Sequence, residues 1–210
     1  MASFLISDDH PLFREALVSA LTPLFDNVNI VQSDSFDSTL EALQENDGFD
    51  LVLLDLNMPG SENFYGLIRV TQDFPDVPVA VISASDSSQV ISNVMSLGAK
   101  GFIPKATPTQ TIASALKEMM SGNTWLPEWV DLNSEESVST ADIARLVGEL
   151  TPKQFTVFKL LQDGLLNKQI AYDLNITEAT VKAHISAIFR KLGVNTRTQA
   201  VLLLKQLDID

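Results

Sequence analysis

Short apolar runs alternate with stretches of helical periodicity over the first 121 residues. The apolar runs are Phe4–Ile6, Val28–Val31, Leu51–Leu54, Val79–Ile82 and Gly101–Ile103. The helix-like stretches that follow them begin near Pro11, Ser35, Glu62, Ser87 and Thr107. Strands rich in Val, Ile and Leu that alternate with helices are typical of a parallel sheet covered on both faces. The pattern therefore predicts a doubly wound α/β domain, with five parallel strands and their helices, over residues 1–121.

A second pattern, helical throughout, covers residues 148–210. Gly164 ends its first helix, and a tight break at Leu174–Ile176 separates the next two helices. Two helices joined in this way predict a helix-turn-helix, whose second helix enters the major groove of DNA. The chain is therefore predicted to combine an α/β domain with an all-α domain.

The predicted recognition helix has two distinct faces. Apolar residues spaced for one inward-facing stripe are Val181, Ile185, Ile188 and Leu192. The opposite face presents Lys182, Ala183, Ser186 and Arg190. Side chains on that outer face are the groups that reach base edges or phosphates. Lys168 lies near the start of the preceding helix, where a cation opposes the helix dipole and a phosphate partner would explain it.

Two tetrapeptides carry the signature of a capped helix start. Thr107–Gln110 and Thr151–Gln154 each place Thr before Pro and a Gln three residues after the Thr. A capping hydroxyl, a proline at the first helical position and a reciprocal Gln are favourable at a helix N-terminus. The sequence therefore predicts capped helices after Thr107 and after Thr151, and it predicts Thr177 as the cap of the recognition helix.

Residues 122–147, between the two patterned regions, are predicted to form a linker. The stretch NSEESVSTAD is polar, acidic and rich in serine, which is typical of a flexible connection. ADIARLVGEL, which begins inside that segment, has apolar positions at helical spacing and predicts a helix that extends toward the next domain.

Charge separates the two halves further. The formal net charge of −13 is uneven, because residues 1–122 carry 16 acidic and 5 basic side chains. Residues 148–210 carry 8 basic and 6 acidic side chains. An acidic first half and a slightly basic second half predict two domains with different partners, so the overall charge does not exclude DNA.

Cysteine is absent from the sequence, which excludes disulfides and thiolate metal sites. No stretch reaches the apolar length needed to span a membrane, and no cationic segment precedes the first short apolar run. We therefore expect a cytoplasmic protein without a membrane partner.

Polar side chains follow the predicted strands where each strand ends. They are Asp8 and Asp9 after the first strand, Asp55 after the third, Ser83 after the fourth and Lys105 after the fifth. In a parallel sheet these ends share one edge, where ligands bind. Three carboxylates at one place repel each other and need a cation, and oxygen donors suit Mg²⁺.

This set of side chains fits the chemistry of phosphoryl transfer. A carboxylate can attack a phosphoryl group, while Ser83 and Lys105 would supply a hydrogen bond and a charge to the phosphate oxygens. A single acid at a strand end is more often a turn former or helix cap. Five polar groups in matching order favour the hypothesis that Asp55 is phosphorylated.

At these residues the first region resembles the receiver domain of two-component response regulators. The matching segments are SDDHPLFREAL, LLDLNMPG, VISAS and GAKGFIPK. The resemblance implies the strand order 2-1-3-4-5 and a phospho-acceptor at Asp55. It also implies that Mg²⁺ is held by Asp8, Asp9, Asp55 and the Asn57 backbone carbonyl. The residues that it implies for sensing the phosphate are Ser83, Lys105 and the aromatic switch Phe102.

One departure from the receiver pattern concerns the loop after the third strand. Many receivers place a glycine two positions after Met-Pro-Gly, whereas Gly66 here follows Gly60 by six positions. The loop is therefore expected to be longer.

The second region resembles the four-helix DNA-binding domain of the LuxR/NarL/FixJ class from Leu150 to Val201. On helix pattern alone, DNA binding and a plain helical interaction domain are about equally favoured, and His184 alone is a poor candidate for a metal ligand. The resemblance implies that Thr180, Lys182, Ala183 and Ser186 face the groove. It places Lys168, His184 and Arg197 near phosphates, and it implies that the last helix pairs two such domains.

The two resemblances together imply a transcriptional regulator of a two-component system that a cognate histidine kinase phosphorylates on Asp55. Its partners would be that kinase, double-stranded DNA and a second copy of the chain. An enzyme is the competing class, but phosphatases with an aspartyl nucleophile need Asp-x-Asp, and Asn57 occupies the second position. The sequence also leaves open a scaffold that works without phosphorylation and a constitutive DNA binder.

Overall fold

A computed structural model describes residues 2–46, 48–62, 64–130 and 138–205 of the chain. The chain forms two compact units that divide between Ala141 and Asp142. Each unit has its own buried core and is described by itself.

The first unit is built on one parallel sheet. Its strands are β1 (Ala2–Ser7), β2 (Val28–Ser33), β3 (Leu51–Asp55), β4 (Val79–Ser83) and β5 (Gly101–Pro104). All neighbouring strands pair in parallel, and their order is β2-β1-β3-β4-β5. Every residue of β3 and β4 is buried, because helices cover the sheet on both faces. The predicted fold class and strand order are confirmed.

Five helices accompany the sheet. They are α1 (Pro11–Leu21), α2 (Phe36–Glu45), α3 (Tyr65–Asp73), α4 (Ser88–Ser96) and α5 (Thr109–Met120). Helices α1 and α5 pack on one face of the sheet, where they share a core with side chains from four strands. That core comprises Phe4, Ile6, Leu17, Leu21, Leu51, Leu53, Ala80, Ile82, Ile103, Ile112, Ala115, Leu116 and Met119.

Two helices begin a few residues later than the sequence predicts, and the predicted Thr107 cap is wrong. Helix α5 begins at Thr109, so Thr107 lies one residue before the cap position and does not cap it. The Thr107 amide instead donates a hydrogen bond to the Pro104 carbonyl (2.9 Å) in a turn that closes β5. Pro108 takes the cap position with an extended backbone and offers no side-chain hydrogen bond. Helix α3 begins at Tyr65, three residues after Glu62, because the chain first makes another turn.

A short segment after α5 covers the outer edge of β5. Trp125 donates its amide to the Lys100 carbonyl (3.0 Å) and accepts from the Phe102 amide (3.1 Å), so that it pairs in parallel with Gly101. A Cβ at Gly101 would lie 2.5 Å from Met119 Sδ and 2.7 Å from the Trp125 carbonyl oxygen. The absence of a side chain at Gly101 is what lets this segment approach.

The second unit is helical. Helix α6 (Val138–Gly148) leads into α7 (Pro152–Gln162), α8 (Asn167–Asp173), α9 (Glu178–Leu192) and α10 (Arg197–Lys205). Helices α7 to α10 form the predicted four-helix domain, and Ala144 and Val147 of α6 are buried as well. None of the helices in the described ranges is long and apolar enough to cross a membrane.

Local capping fixes the helices of this unit as predicted. The Thr151 hydroxyl accepts from the Gln154 amide (3.3 Å), and the Gln154 side chain accepts from the Thr151 amide (3.1 Å). Thr177 caps α9 by accepting from the Thr180 amide (3.1 Å). Asn175, in the break between α8 and α9, has a positive φ of 52°, a conformation that Asn tolerates better than most residues.

A first testable prediction concerns the covered edge of β5. We expect Gly101→Ala to lower the free energy of unfolding by about 1–3 kcal/mol, because the new methyl group must displace Met119 or the Trp125 backbone. Urea unfolding measures this change. Lys100→Ala, at the neighbouring exposed position, should stay within about 0.5 kcal/mol of the original chain, and an equal loss in both variants would contradict the steric account.

Candidate functional site

The carboxyl ends of the parallel strands bring the predicted polar residues to one edge of the sheet. Asp8 and Asp9 follow β1, Asp55 ends β3, Ser83 ends β4, and Lys105 follows β5. Strands β1, β3, β4 and β5 are neighbours in that order, so their ends lie side by side.

A single lysine joins two of the carboxylates. Lys105 Nζ lies 2.8 Å from Asp8 Oδ2 and 2.9 Å from Asp55 Oδ2. Asp8 and Asp55 are each only 2% exposed, so the Lys105 ammonium offsets charges that bulk water barely reaches. Asp9 lies at the rim, with its side chain 33% exposed.

The position of Lys105 is set from two sides. Its amide donates to the Ser83 carbonyl (2.8 Å), which extends the pairing of β4 and β5 by one residue. Its ammonium group lies 5.1 Å from the centre of the Phe13 ring, within range of a cation–π contact. The lysine is therefore held over the acidic pair by the sheet below it and by α1 beside it.

Burial acts on the pKa values of both Asp55 and Lys105 and is opposed by their contact with each other. Burial raises the pKa of Asp55 above its ordinary value of 3.8, although the hydrogen bond and charge of Lys105 oppose that rise. Burial also works to lower the pKa of Lys105, but its hydrogen bonds to Asp8 and Asp55 outweigh this effect and the pKa is raised. Lys105 therefore stays charged, and it is the main group that favours the ionised form of Asp55.

His10 and Arg14 are parts of the site that the sequence did not predict. His10 Nδ1 lies 3.0 Å from Asp8 Oδ1 and 2.7 Å from Asp9 Oδ1. Arg14 Nη1 donates to the Asp8 carbonyl (2.5 Å). The signal available in the sequence was the spacing, since His10 adjoins the acidic pair and Arg14 lies one turn further along α1.

The other predicted receiver residues lie directly after β3, on β4 and on β5. The Asn57 amide donates to Asp55 Oδ1 (3.3 Å), so the chain folds back over the carboxylate after β3. Ser83 is fully buried, and its hydroxyl accepts from the Ser85 amide (3.1 Å). Phe102 is also fully buried, so its side chain already lies inward.

The donor set fits a divalent cation. Asp8, Asp9, His10 and Asp55 each offer one donor atom, and these four atoms lie within 4.8 Å of one another. Donors on opposite sides of one ion are separated by about 4–5 Å when the bonds are about 2.0–2.4 Å long. Two buried carboxylates and one at the rim supply the negative charge that such an ion would neutralise.

The chain between β3 and α3 is anchored on α2. The Phe36 amide donates to the Pro59 carbonyl (3.1 Å), and the Phe36 ring packs edge-on against Tyr65 at 5.8 Å. Burial raises the pKa of Tyr65 to about 12. Gly66 is needed here for close approach, because a Cβ would lie 2.5 Å from Ser61 Cβ.

In the second unit, α9 separates its two faces as its spacing predicts. Val181, Ile188 and Leu192 are buried, and Ile185 is half-buried. The side chains predicted to face DNA are exposed on α9 and α8, namely Thr180, Lys182, Ala183, Ser186, Arg190 and Lys168. The exposed set therefore forms the candidate DNA-binding surface.

Two of the predicted phosphate contacts are less exposed. His184 is half-buried and lines a cavity of about 230 Å³ between α7 and α9. Arg197 is half-buried, and its Nη2 donates to the carbonyls of Leu161 (3.0 Å) and Leu165 (2.7 Å). Arg197 thus ties α10 to the end of α7, a contact that the sequence did not predict.

Comparison of the sequence with known protein families agrees with the receiver and DNA-binding resemblances of the two regions. The family described as "Response regulator receiver domain" matches residues 4–117, and "Bacterial regulatory proteins, luxR family" matches residues 148–204. The chain belongs to the luxR-family response regulators. It is therefore a DNA-binding transcriptional regulator of the two-component type, as its sequence predicted.

Relatives resemble this response regulator over nearly its whole length. The glycerol metabolism activator of Pseudomonas putida is 39% identical, and the match covers 99% of this chain and 97% of the relative. The nitrate/nitrite response regulator NarL of Escherichia coli K12 is 29% identical over 98% of this chain and 95% of its own. RcsB of Salmonella enterica serovar Typhimurium, solved on promoter DNA, shares the fold with a TM-score of 0.58 at 24% identity, over 98% of both chains.

The raised pKa of Asp55 gives a second testable prediction, about stability and pH. Because the folded pKa lies above the unfolded value, ionised Asp55 destabilises the fold, and this cost is absent below pH 3.8 and grows as pH rises through the folded pKa. We therefore expect Asp55→Asn to raise the free energy of unfolding near pH 7 but not near pH 3. Urea unfolding in EDTA measures the difference.

Asp76→Asn is the matched control, because Asp76 is exposed at the opposite edge of the sheet. It should leave the pH profile of stability unchanged. A stabilisation by Asp55→Asn that is the same at pH 3 and pH 7 would show that charge burial is not its cause.

Proposed function

We propose that a histidine kinase phosphorylates Asp55 and that this modification controls DNA binding by the second unit. The observation that carries the proposal is the pairing of one lysine with two buried carboxylates at the ends of β1 and β3. The ammonium group of Lys105 favours the ionised form of Asp55 against the effect of burial, and the ionised form is the state that a carboxylate nucleophile requires.

In the proposed reaction, an Asp55 carboxylate oxygen attacks the phosphorus of a phosphohistidine. The new O–P bond forms as the N–P bond to the histidine breaks, and the histidine nitrogen leaves with the electron pair. Asp55 then carries an acyl phosphate. Lys105 already lies 2.9 Å from Asp55 Oδ2, where its charge meets the incoming phosphate oxygens.

A divalent cation, Mg²⁺ by resemblance to receivers, would be held by Asp8, Asp9, Asp55 and the Asn57 carbonyl. When bound, it supplies positive charge that reduces the repulsion between these carboxylates and the phosphoryl group. The cluster of donor atoms supports this assignment, because its carboxylates match the oxygen ligands that Mg²⁺ prefers.

Ser83 is the proposed sensor of the new phosphate. Its hydroxyl oxygen accepts from the Ser85 amide, which leaves its own proton available for a phosphate oxygen. Movement of Ser83 would reach Phe102 through β4, because Phe102 pairs with Val81 of that strand. Because Phe102 is already buried, the switch would begin from the inward position rather than turn into it.

In the second unit, we propose that α9 lies in the major groove. Thr180, Lys182, Ala183 and Ser186 would face base edges, and the surrounding cations would contact phosphates, namely Lys168, His184, Arg190 and Arg197. Arg197 uses one terminal nitrogen on carbonyls, so its phosphate contact would use the other N–H groups of the guanidinium.

We further propose that the chain binds DNA as a homodimer in the cytoplasm and is not an enzyme toward other substrates. Leu202 on α10 is 57% exposed, which supports pairing through this helix. A two-fold dimer matches two half-sites on DNA. One solved structure of the related RcsB is described as two dimers on two parallel DNAs.

The acceptor assignment gives a third testable prediction. Acetyl phosphate with Mg²⁺ should add one phosphoryl group to the chain, seen as a mass increase of about 80 Da that hydroxylamine removes because an acyl phosphate is labile to it. Asp55→Asn should abolish the adduct, whereas Asp34→Asn, an exposed acid after β2, should retain it. Intact mass spectrometry measures both, and a full adduct in Asp55→Asn would refute the assignment.

The same samples test the link to DNA. The phosphodonor should tighten binding of the original chain to a selected duplex and should not change binding by Asp55→Asn. Equal binding of the original chain with and without the donor would leave a constitutive DNA binder.

The DNA-binding surface gives a fourth testable prediction. Lys182→Ala should weaken binding to a selected duplex, because an exposed cation is removed from the outer face of α9. A phosphate contact would lower the magnitude of the salt slope by about 1, and a base contact would relax discrimination by about 1–3 kcal/mol. Fluorescence anisotropy at several salt concentrations separates the two cases.

Lys117→Ala is the matched control, since it removes one exposed cation from α5 of the receiver. It should leave the affinity and the salt slope close to those of the original chain. Unchanged affinity and discrimination in Lys182→Ala would exclude the proposed placement of α9.

A further inference from the structure

His10 has no role in the proposed phosphorylation reaction, yet it belongs to the acidic cluster. Its imidazole supplies one of the four donor atoms that lie within 4.8 Å of one another, and the other three are carboxylate oxygens. Three carboxylates alone suit a hard cation such as Mg²⁺. The imidazole nitrogen therefore changes which metal ions the donor set can be expected to prefer.

The spacing of the imidazole nitrogen is that of a neighbouring ligand. Nδ1 lies 2.7 Å from Asp9 Oδ1 and 3.0 Å from Asp8 Oδ1, so that it pairs directly with these acids. Two ligands at right angles around one ion with bonds of about 2.1 Å are about 3 Å apart. One ion can therefore meet Nδ1 and a carboxylate oxygen with little movement of those two side chains, once the Lys105 ammonium, which lies 3.5 Å from Nδ1, makes room for it.

The backbone holds His10 in place. His10 occupies the N-cap position of α1 and is followed by Pro11, whose ring fixes the entry into the helix. The His10 amide donates to Asp8 Oδ1 (2.8 Å), which links the turn to the buried acid. The side chain itself is 65% exposed, so an ion from solvent can reach the ring.

We infer that His10 is a metal ligand and that the site prefers first-row transition-metal dications, such as Mn²⁺ and Ni²⁺, to Mg²⁺. Imidazole suits transition metals, and affinity for nitrogen donors rises from Mn²⁺ to Ni²⁺, whereas Mg²⁺ retains its waters and favours oxygen. The inference rests on the proposed metal site and names a residue that decides which ion fills it.

The test compares direct binding of Mg²⁺, Mn²⁺ and Ni²⁺ to the untagged full chain by isothermal titration calorimetry at pH 8. His10→Gln should weaken Ni²⁺ binding by about tenfold or more and Mn²⁺ binding by less, with Mg²⁺ affinity unchanged within about twofold. His184→Gln is the matched control, because His184 is the one other histidine of the chain and lies in the second unit. It should leave all three affinities unchanged.

A second measurement observes the ring itself. Since the chain has two histidines, spectra of His10→Gln and His184→Gln assign both imidazole proton resonances. Substoichiometric Mn²⁺ should broaden the His10 resonance at concentrations that leave the His184 resonance sharp.

Each outcome decides between the claims. If His10→Gln weakens the binding of all three ions equally, His10 is a positioning residue that acts through its contacts to Asp8 and Asp9. That result would refute the claim that His10 makes the site selective for transition metals. Unchanged Ni²⁺ affinity in that variant would refute the assignment of His10 as a metal ligand, while the proposed Mg²⁺ site would stand. Failure of the original chain to bind any of the three ions, with Asp55 still phosphorylated, would refute the metal site as well.

Discussion

The ion pairs that Lys105 makes with Asp8 and Asp55 are the interaction on which the site depends. Two carboxylates that are 2% exposed cannot both stay ionised side by side without a cation between them. The three residues come from the ends of β1, β3 and β5, so only a parallel sheet in this strand order brings them together. The sheet thus forms the core of the receiver and also positions the three charged side chains of the site.

The same pairing sets the balance between the charged and neutral forms of Asp55. Burial disfavours the charge on Asp55, and Lys105 opposes that effect without cancelling it. The fold therefore holds a carboxylate that would be more stable with a further positive group beside it.

The loop after β3 adds a local cost, because Phe64 is fully buried with a positive φ of 60°, a conformation that costs a non-glycine residue of order 1–3 kcal/mol.

Sequence patterns predicted the features that local rules determine. The apolar runs became strands, and Thr151 and Thr177 cap helices, because each cap bonds an amide only three residues away. Thr107 is not a cap because the turn after β5 delays the helix by one residue and leaves Pro108 in the cap position. The contacts of Arg197 with Leu161 and Leu165, which cross more than 30 positions of the chain, leave no local pattern in the sequence.

The pairing of Trp125 with Gly101 also affects what the β5 edge of the receiver sheet can bind. An unpaired edge strand offers free amides and carbonyls to any extended peptide, which is a common route to aggregation. Along β5 the Lys100 carbonyl and the Phe102 amide are already used by Trp125. A foreign strand would have to displace the chain's own backbone there, so β5 is protected against sheet extension by a segment that directly follows the receiver's last helix.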